Sequence, residues 1–402
     1  MRPTCRADGA ILSVDVRTEL LIIGAGPFGL AIAAHVKRLG IDHIVVGEPM
    51  GFWKRHMPGN MYLRSGIHWH LDTSGVFTIE QFLRSRGLTE SDVEPFPLDV
   101  YVAYADWFQR QMELEITPAH VVRLDRIPDH RPTFRAALLD GSGIVAKHVA
   151  VAVGFEPFTH VPADLVEGLA PGRFEHTCTA VHLEELAGQR CLIIGGRQSA
   201  FEWAALAAEA GAASVDVSYR HDTPRFAQSE WMWADRLVQR FTDEPGWYRR
   251  LQQSERDALA GRFWQEGRLK LEPWLEPRIR AGGVRLWPRS QILAASVAAG
   301  DTTSVRFDSG SSIEVNRVIF ATGYKPDVTR VPFLSAGNLL ADIDSRNGCP
   351  VLNDVMQSSV PDLYFTSLLA TSDFGPFFGF TIAARTAARL VGRGLRVDSG
   401  AA

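Results

Sequence analysis

The sequence predicts an α/β fold of two similar strand–turn–helix modules, the second carrying a helical insert, and three glycine-closed apolar strands predict it. The first runs Leu20-Leu21-Ile22-Ile23 into Gly24-Ala25-Gly26-Pro27-Phe28-Gly29. The second runs Cys191-Leu192-Ile193-Ile194 into Gly195-Gly196-Arg197-Gln198-Ser199-Ala200. The third, Val318-Ile319-Phe320-Ala321-Thr322-Gly323-Tyr324, closes a strand in a single glycine. A buried strand entering a GxGxxG-type turn and then a helix is the signature of a Rossmann-like dinucleotide-binding module. The expected division is 1–170 for the first part of one domain, 171–318 for the second domain with its insert at 226–279, and 319–402 for the return to the first.

Each residue of the first turn has a physical reason. Gly24 makes the tight turn, Gly26 lets backbone approach a pyrophosphate, and Gly29 lets the following helix pack on the strand. Pro27 suits the first helical turn, where its missing N–H would have no intrahelical partner, and Phe28 follows it in that turn. A helix is expected over 31–39 and a second strand over 41–46. Glu48 comes next, 24 residues beyond Gly24, where a carboxylate meets ribose hydroxyls. A further strand over 146–153 closes in Gly154, a turn of the type found beside a bound flavin. This module is expected to hold FAD.

The second turn departs from the pattern. Arg197 stands where the second glycine belongs, so its side chain obstructs the diphosphate unless the guanidinium itself makes the contact. Gln198 and Ser199 open the helix, and Ala200 at the third position is tolerated. The strand over 214–219 ends in no acid; Arg220 and His221 follow, with Arg225 close behind. Cations there suit a 2′-phosphate, against the alternative of a solvated basic strand end. NADPH is the expected reductant, with NADH left open. Regular alternation stops over 226–279, a stretch holding Trp231, Trp233, Trp247, Trp264 and Trp274, most of which read as packing. Segments 283–286, 303–307 and 313–320 then read as strands returning to the sheet. A strand at 363–366, a glycine-phenylalanine loop over 375–380 and an alanine- and arginine-rich helix finish the pattern.

Composition sets the class. A chain of 402 residues has room for two domains, and 46% apolar with 22% charged residues is ordinary for globular proteins. A formal charge of −4 gives no basic field for nucleic acid. No apolar run reaches the ~18 residues of a membrane span, and the N-terminus, 1–18, has no signal-type apolar core. Cys5, Cys178, Cys191 and Cys349 are scattered, which fits a reducing, cytoplasmic setting, and none forms CxxC, the redox pair a disulfide reductase of this layout uses.

On these motifs the chain resembles the class B flavin-dependent monooxygenases, the family of flavin-containing, Baeyer–Villiger and N-hydroxylating enzymes. The resemblance spans nearly the whole chain and rests on the 24–29 turn, on Gly51-Phe52-Trp53 after Glu48, and on Phe320-Ala321-Thr322-Gly323-Tyr324. Met61-Tyr62-Leu63-Arg64-Ser65, the stretch 101–108 and Ser229-Glu230-Trp231 are similar to the N-hydroxylating branch. The Gly-Gly-Arg-Gln-Ser-Ala turn resembles that of bacterial FAD-dependent urate hydroxylases. The resemblance implies that NADPH reduces FAD and that one atom of O2 passes, through a flavin C4a-hydroperoxide, to a small nucleophilic substrate by N-hydroxylation or urate-type ring hydroxylation. It also implies FAD contacts from Trp53, Met61, Ser65, Thr322, Gly323, Tyr324, Phe378 and Gly379. The partners expected are substrate and O2, with no nucleic acid and no membrane, and self-association left open.

The departures are specific. Of the Baeyer–Villiger fingerprint only Phe174 and His176 occur, with His182 where an aromatic belongs. Ser367-Leu368 stands where simple flavin reductases carry Gly-Asp, and His68, Trp69 and His70 have no counterpart in the N-hydroxylases. His68 and His70 are candidates for acid–base work because an imidazole titrates near neutrality; a structural role for the pair stands beside that reading. Arg64 and Trp231 complete the candidate catalytic set. His-x-His with no third ligand at regular spacing gives no expected metal. The alternative functions are an NAD(P)H:flavin oxidoreductase or oxidase without oxygen transfer, and a redox-sensing flavoprotein.

Overall fold

The computed structural model describes residues 15–127, 133–166, 169, 172–298 and 302–398; Cys5 and most of the N-terminal stretch lie outside them. Two mainly separate sheets carry the modules. The first has seven strands: Ile116–Thr117, His43–Val46, Val16–Ile23, Gly143–Val151, Thr133–Leu138 and Val121–Ile127 in that order, with Leu363–Phe365 added beside Gly143–Val151. The long strand Gly143–Val151 serves two partners along one edge. Residues 143–146 pair antiparallel with 134–137, and Val149–Val151 pair parallel with Leu363–Phe365. This is how the C-terminal segment rejoins the first module.

Strand Val16–Ile23 is buried over its last four residues, as expected of a parallel strand covered on both faces. One covering helix is Pro27–Arg38, which starts at the proline, earlier than the expected 31–39. A second helix, Ala384–Asp398, packs against that one. Its buried residues Ala384, Ala387, Ala388, Val391 and Leu395 recur at helical spacing. An added Cβ at Gly392 of that helix would lie 2.7 Å from the His35 ring of the first helix, so a side-chain-free position permits the close crossing.

The second sheet is wholly parallel, in the order Arg285–Trp287, Ser214–Ser218, Arg190–Ile194, Arg317–Phe320, Phe174–His176. Segment 303–307 does not return to it. Thr302–Phe307 forms a separate antiparallel sheet with Ile292–Ala298 and Ser312–Val315. The expected strand 313–320 is accordingly two strands, and Asn316 makes the break. Its N–H donates to the Arg190 carbonyl at 2.7 Å while its Oδ1 accepts from the Arg190 N–H at 3.1 Å, carrying the chain from one sheet into the other.

The insert contains helices Met232–Asp243, Trp247–Arg250, Gln253–Gly267 and Leu275–Ala281, plus a two-stranded pairing of Arg225–Phe226 with Lys270–Leu271. It docks on the C-terminal loop of the first module through rings. Phe241 lies 5.2 Å from Phe374 and 5.1 Å from Phe378, and Phe377 is 5.4 Å from both Trp233 and Phe263. The linkers between modules also pair. His160 N–H donates to Gly323 at 3.0 Å, Lys325 N–H to Phe158 at 2.8 Å, and the Thr322 hydroxyl to the His160 carbonyl. Among the described residues no helix is long and apolar enough to cross a membrane.

Candidate functional site

The three glycines of the first turn do different work. Gly24 has φ +115°, and a Cβ there would stand 2.2 Å from the Ala152 carbonyl oxygen; a Cβ on Gly29 would stand 1.8 Å from the oxygen of Gly24. Both positions exclude side chains because backbone is already there. A Cβ on Gly26 meets no atom within 4 Å. Gly26 is the N-cap of Pro27–Arg38 and no side chain caps that helix. Its first N–H groups therefore face open space, the arrangement that receives a phosphate anion. The residues present fit a dinucleotide diphosphate, and an added side chain would fill its cradle.

Around that cradle, Glu48 follows strand His43–Val46 and pairs with Arg55 at 2.9 Å. The Trp53 ring lies 5.0 Å from that of buried Tyr101. Buried Met61 accepts the Leu98 N–H at 3.0 Å through its carbonyl. Phe378 is fully buried, and Gly379 packs next to Leu368. The Met50 N–H donates to the Ala25 carbonyl at 3.0 Å, which joins 48–53 to the 24–29 turn, and a hydrogen bond between Ser65 and Thr381 joins 61–65 to 374–381.

The second turn repeats the logic with one change. Gly195 has φ +147°, and a Cβ there would lie 2.4 Å from the Ala321 carbonyl oxygen, so each turn rests on a glycine-closed strand. Gly196 is roofed, since a Cβ would meet the His221 ring at 2.5 Å. Arg197 occupies the N-cap of Gln198–Glu209, the place Gly26 holds in the first turn. Its guanidinium is drawn to the insert, donating to the Arg268 carbonyl at 2.9 Å and lying 4.1 Å over Trp264. Gln198 is consumed locally, donating to Glu202 at 3.2 Å and accepting the Glu272 N–H at 3.1 Å. Ser199 lies in the first turn of that helix. Arg220 is exposed at the strand end.

Arg64 joins the first module to the insert. It donates to Glu272 at 2.8 Å, to the Gly267 carbonyl at 2.6 Å and to the Ser229 hydroxyl, and lies 5.6 Å over the Trp231 ring. Ser65 shares a 3.2 Å hydrogen bond with Thr381. His70 is buried and its Nε2 accepts from Arg385 at 2.9 Å, which places its proton on Nδ1. Arg385 also donates to the His68 carbonyl at 3.1 Å, while the His68 ring is edge-on to Trp69 at 5.4 Å. This loop is made rigid by Asp72, which accepts from Arg38 and from the N–H groups of Ser74, Val76 and Phe77. Burial alone would raise the Asp72 carboxyl; Arg38 and those donors outweigh it and hold it below the usual carboxylate range.

Sequence reasoning missed a second histidine network. His176 Nε2 donates to the Gly323 carbonyl at 3.0 Å and its Nδ1 accepts the Cys178 N–H at 3.0 Å. Tyr324 stacks edge-on against the same ring at 5.2 Å. The glycine-closed strand end is therefore clamped by a neutral imidazole. Glu202 was missed too, although it is the one acid in an otherwise apolar buried stretch, 200–207. Burial pushes its carboxyl up to about 7 despite Arg278 at 3.1 Å.

Burial holds both His70 (with Arg385 adding to the effect) and His176 down to about 4, against about 6.5 in an unfolded chain. The unfolded chain binds more protons in that window, so the stabilisation is complete above about 6.5 and is lost as pH falls through 4. Each ring contributes up to about 3 kcal/mol. Glu202, held up to about 7, slopes the other way and offsets about one ring, so urea melts between pH 7 and pH 4 should still show falling stability, with a shallower fall in His176→Asn; equal slopes in the two proteins would contradict the assignment.

An FAD-dependent urate hydroxylase of Xanthomonas campestris pv. campestris is 28% identical over 243 residues, 56% of this chain and 50% of that protein. The match thus spans about half the length of that relative. The solved ornithine N-hydroxylase of Kutzneria sp. 744 superposes with a TM-score of 0.78 at 14% identity, covering 95% of this chain and 100% of that one. The bacillithiol disulfide reductase of Staphylococcus aureus superposes at 0.67 and 17% identity, covering 95% and 99%. At these identities the structural likenesses establish the shared two-module fold, which hosts more than one chemistry. The family described as pyridine nucleotide-disulphide oxidoreductase matches residues 21–235, more than half of the chain, and the protein belongs to that family.

Proposed function

We propose that this protein is an FAD-dependent, NAD(P)H-consuming monooxygenase that adds one oxygen atom from O2 to a small nucleophilic substrate, by N-hydroxylation or urate-type ring hydroxylation. The observation that carries the reading is the pair of glycine turns tied together by the insert. The open cradle at Gly26 belongs to a module whose 61–65 and 374–381 segments touch the insert, and the same insert holds Arg197 of the second turn. We assign 1–170 and 319–402 to FAD and 171–318 to the nicotinamide dinucleotide. The urate hydroxylase relative and the N-hydroxylase neighbour support oxygen transfer. Buried, unpaired Cys178, Cys191 and Cys349 fit a reducing, cytoplasmic setting.

FAD, when bound, supplies the redox and oxygen-activating chemistry, and NADPH the reducing equivalents. The chain's own groups bind, orient and exclude water. Helix Pro27–Arg38 and Glu48 would hold the first dinucleotide. Trp69, Trp231, Phe263 and Phe377 form a continuous run of ring contacts between the Arg64–His70 segment and the C-terminal loop, a dry wall for the reacting centre. Arg385 fixes the tautomer of His70 and so sets which nitrogen carries a proton at that wall.

The test is a screen of amines and purines for substrate-stimulated NADPH consumption with product mass measured. A gain of one oxygen atom is expected; peroxide accounting for every reducing equivalent would overturn the reading in favour of an oxidase. For the coenzyme, Arg220→Ala should raise the KM for NADPH about tenfold or more and leave that for NADH nearly unchanged. The loss is that of charge-assisted bonds worth ~1.5–3 kcal/mol. Equal effects on both would remove Arg220 from the 2′-phosphate.

A further inference from the structure

We infer that Arg268, carried by the helical insert, forms with Arg197 an anion subsite for the diphosphate of the nicotinamide dinucleotide, so that the insert completes the coenzyme site of the second module. The inference rests on the proposal that this module takes NAD(P)H.

Three observations point to it. Arg197 sits at the N-cap of Gln198–Glu209, where the first module presents the open Gly26. Its bond to the Arg268 carbonyl pins residue 268 against that helix N-terminus. Arg268 is half-buried, and its guanidinium faces the rings of Phe263 at 6.0 Å and Phe380 at 5.9 Å, with no hydrogen-bond acceptor on it among the described residues.

Nearby carboxylates are already spent. Glu272 is taken by Arg64, and Glu266 by Lys270 at 2.5 Å. Burial, with Arg64 and Arg197 close by, brings Arg268 down to about 10. A partly desolvated guanidinium among other cations is unfavourable until an anion arrives.

Position selects the anion. Phe380 belongs to the first module and Arg197 to the second, so Arg268 stands between them. Close backbone approach is hindered at the second turn, where the His221 ring roofs Gly196. Two guanidinium forks replace the missing glycine contact with charge-assisted bonds to phosphate oxygens. Because Arg268 also faces Phe263 of the ring wall, a substrate anion is the competing occupant, and a raised substrate KM with intact dinucleotide affinity would be its mark.

The experiment is calorimetric titration of full-length, FAD-loaded protein with NADP+ and with NAD+. The diphosphate is common to both, so Arg268→Gln should weaken both by a similar factor, about tenfold to a hundredfold. Arg220→Ala should weaken only NADP+. Arg268→Lys keeps the charge without the fork and should fall between wild type and Arg268→Gln, and millimolar guanidinium should partly restore binding to Arg268→Ala, which a merely structural defect would not allow. Unchanged affinities in a folded Arg268→Gln would overturn the inference. So would loss confined to NADP+, or a raised substrate KM with both dinucleotide affinities intact. Wild-type protein that binds neither dinucleotide would instead overturn the proposed function, and the subsite with it.

Discussion

Gly26→Val should fold like the wild type and purify without flavin. An added Cβ at Gly26 meets no protein atom within 4 Å, so the substitution creates no internal clash. The side chain would instead fill the space in front of the first N–H groups of Pro27–Arg38, where the diphosphate is to lie. Flavin content should drop at least tenfold, the equivalent of ~1.4 kcal/mol or more of lost binding. Gly29→Ala is the informative contrast, because its Cβ would stand 1.8 Å from the Gly24 carbonyl oxygen. Backbone cannot rotate away, so strand and helix must separate, at a cost of about 3 kcal/mol or more. The flavin-to-protein absorbance ratio and a urea melt separate the two effects. Full flavin retention in Gly26→Val would show that the first turn does not hold the diphosphate.

Arg64→Ala should be the most damaging substitution away from the glycines. It strips Glu272, whose side chain is 6% exposed, of the guanidinium at 2.8 Å, and it releases the Gly267 carbonyl and the Ser229 hydroxyl. Leaving one partner of a buried pair uncompensated costs about 3–5 kcal/mol. Replacing both partners by neutral groups costs much less, so Arg64→Met with Glu272→Gln should recover most of the loss. Denaturant unfolding of the single and double variants gives the coupling, and protease cleavage within 226–279 reports release of the insert. A loss below about 1 kcal/mol in Arg64→Ala would mean that the bridge contributes little. Arg64 entered the candidate catalytic set by resemblance alone; its bonds describe a residue that positions the insert, and the activity of folded Arg64→Lys tests that role.

Much of the first module was legible because its constraints are local. A turn that needs φ +115° at Gly24 selects glycine whatever surrounds it, and Pro27 fits a helix start for reasons internal to that turn. The helical insert was legible as a break in alternation. The antiparallel sheet of Ile292–Ala298, Thr302–Phe307 and Ser312–Val315 was not. A strand pattern states that a segment is extended without saying which neighbour completes its hydrogen bonds, and Asn316 turns the chain between sheets through a contact with Arg190, 126 residues away in sequence.

The candidate site divides along the same line. The residues at 24–29, 48, 195–200 and 320–324 announce themselves because close backbone approach and strand-end geometry restrict which amino acids can stand there. Sequence alone therefore determined that the chain is built from two dinucleotide-type modules, and that Arg197 breaks the second pattern. Only the tertiary structure decided where the guanidinium groups of Arg64, Arg197 and Arg268 go, which histidine clamps Gly323, and that Gly26 alone of its three opens outward. Long charged side chains and imidazoles reach partners scores to hundreds of residues distant, and their roles follow from which acceptors folding leaves within reach.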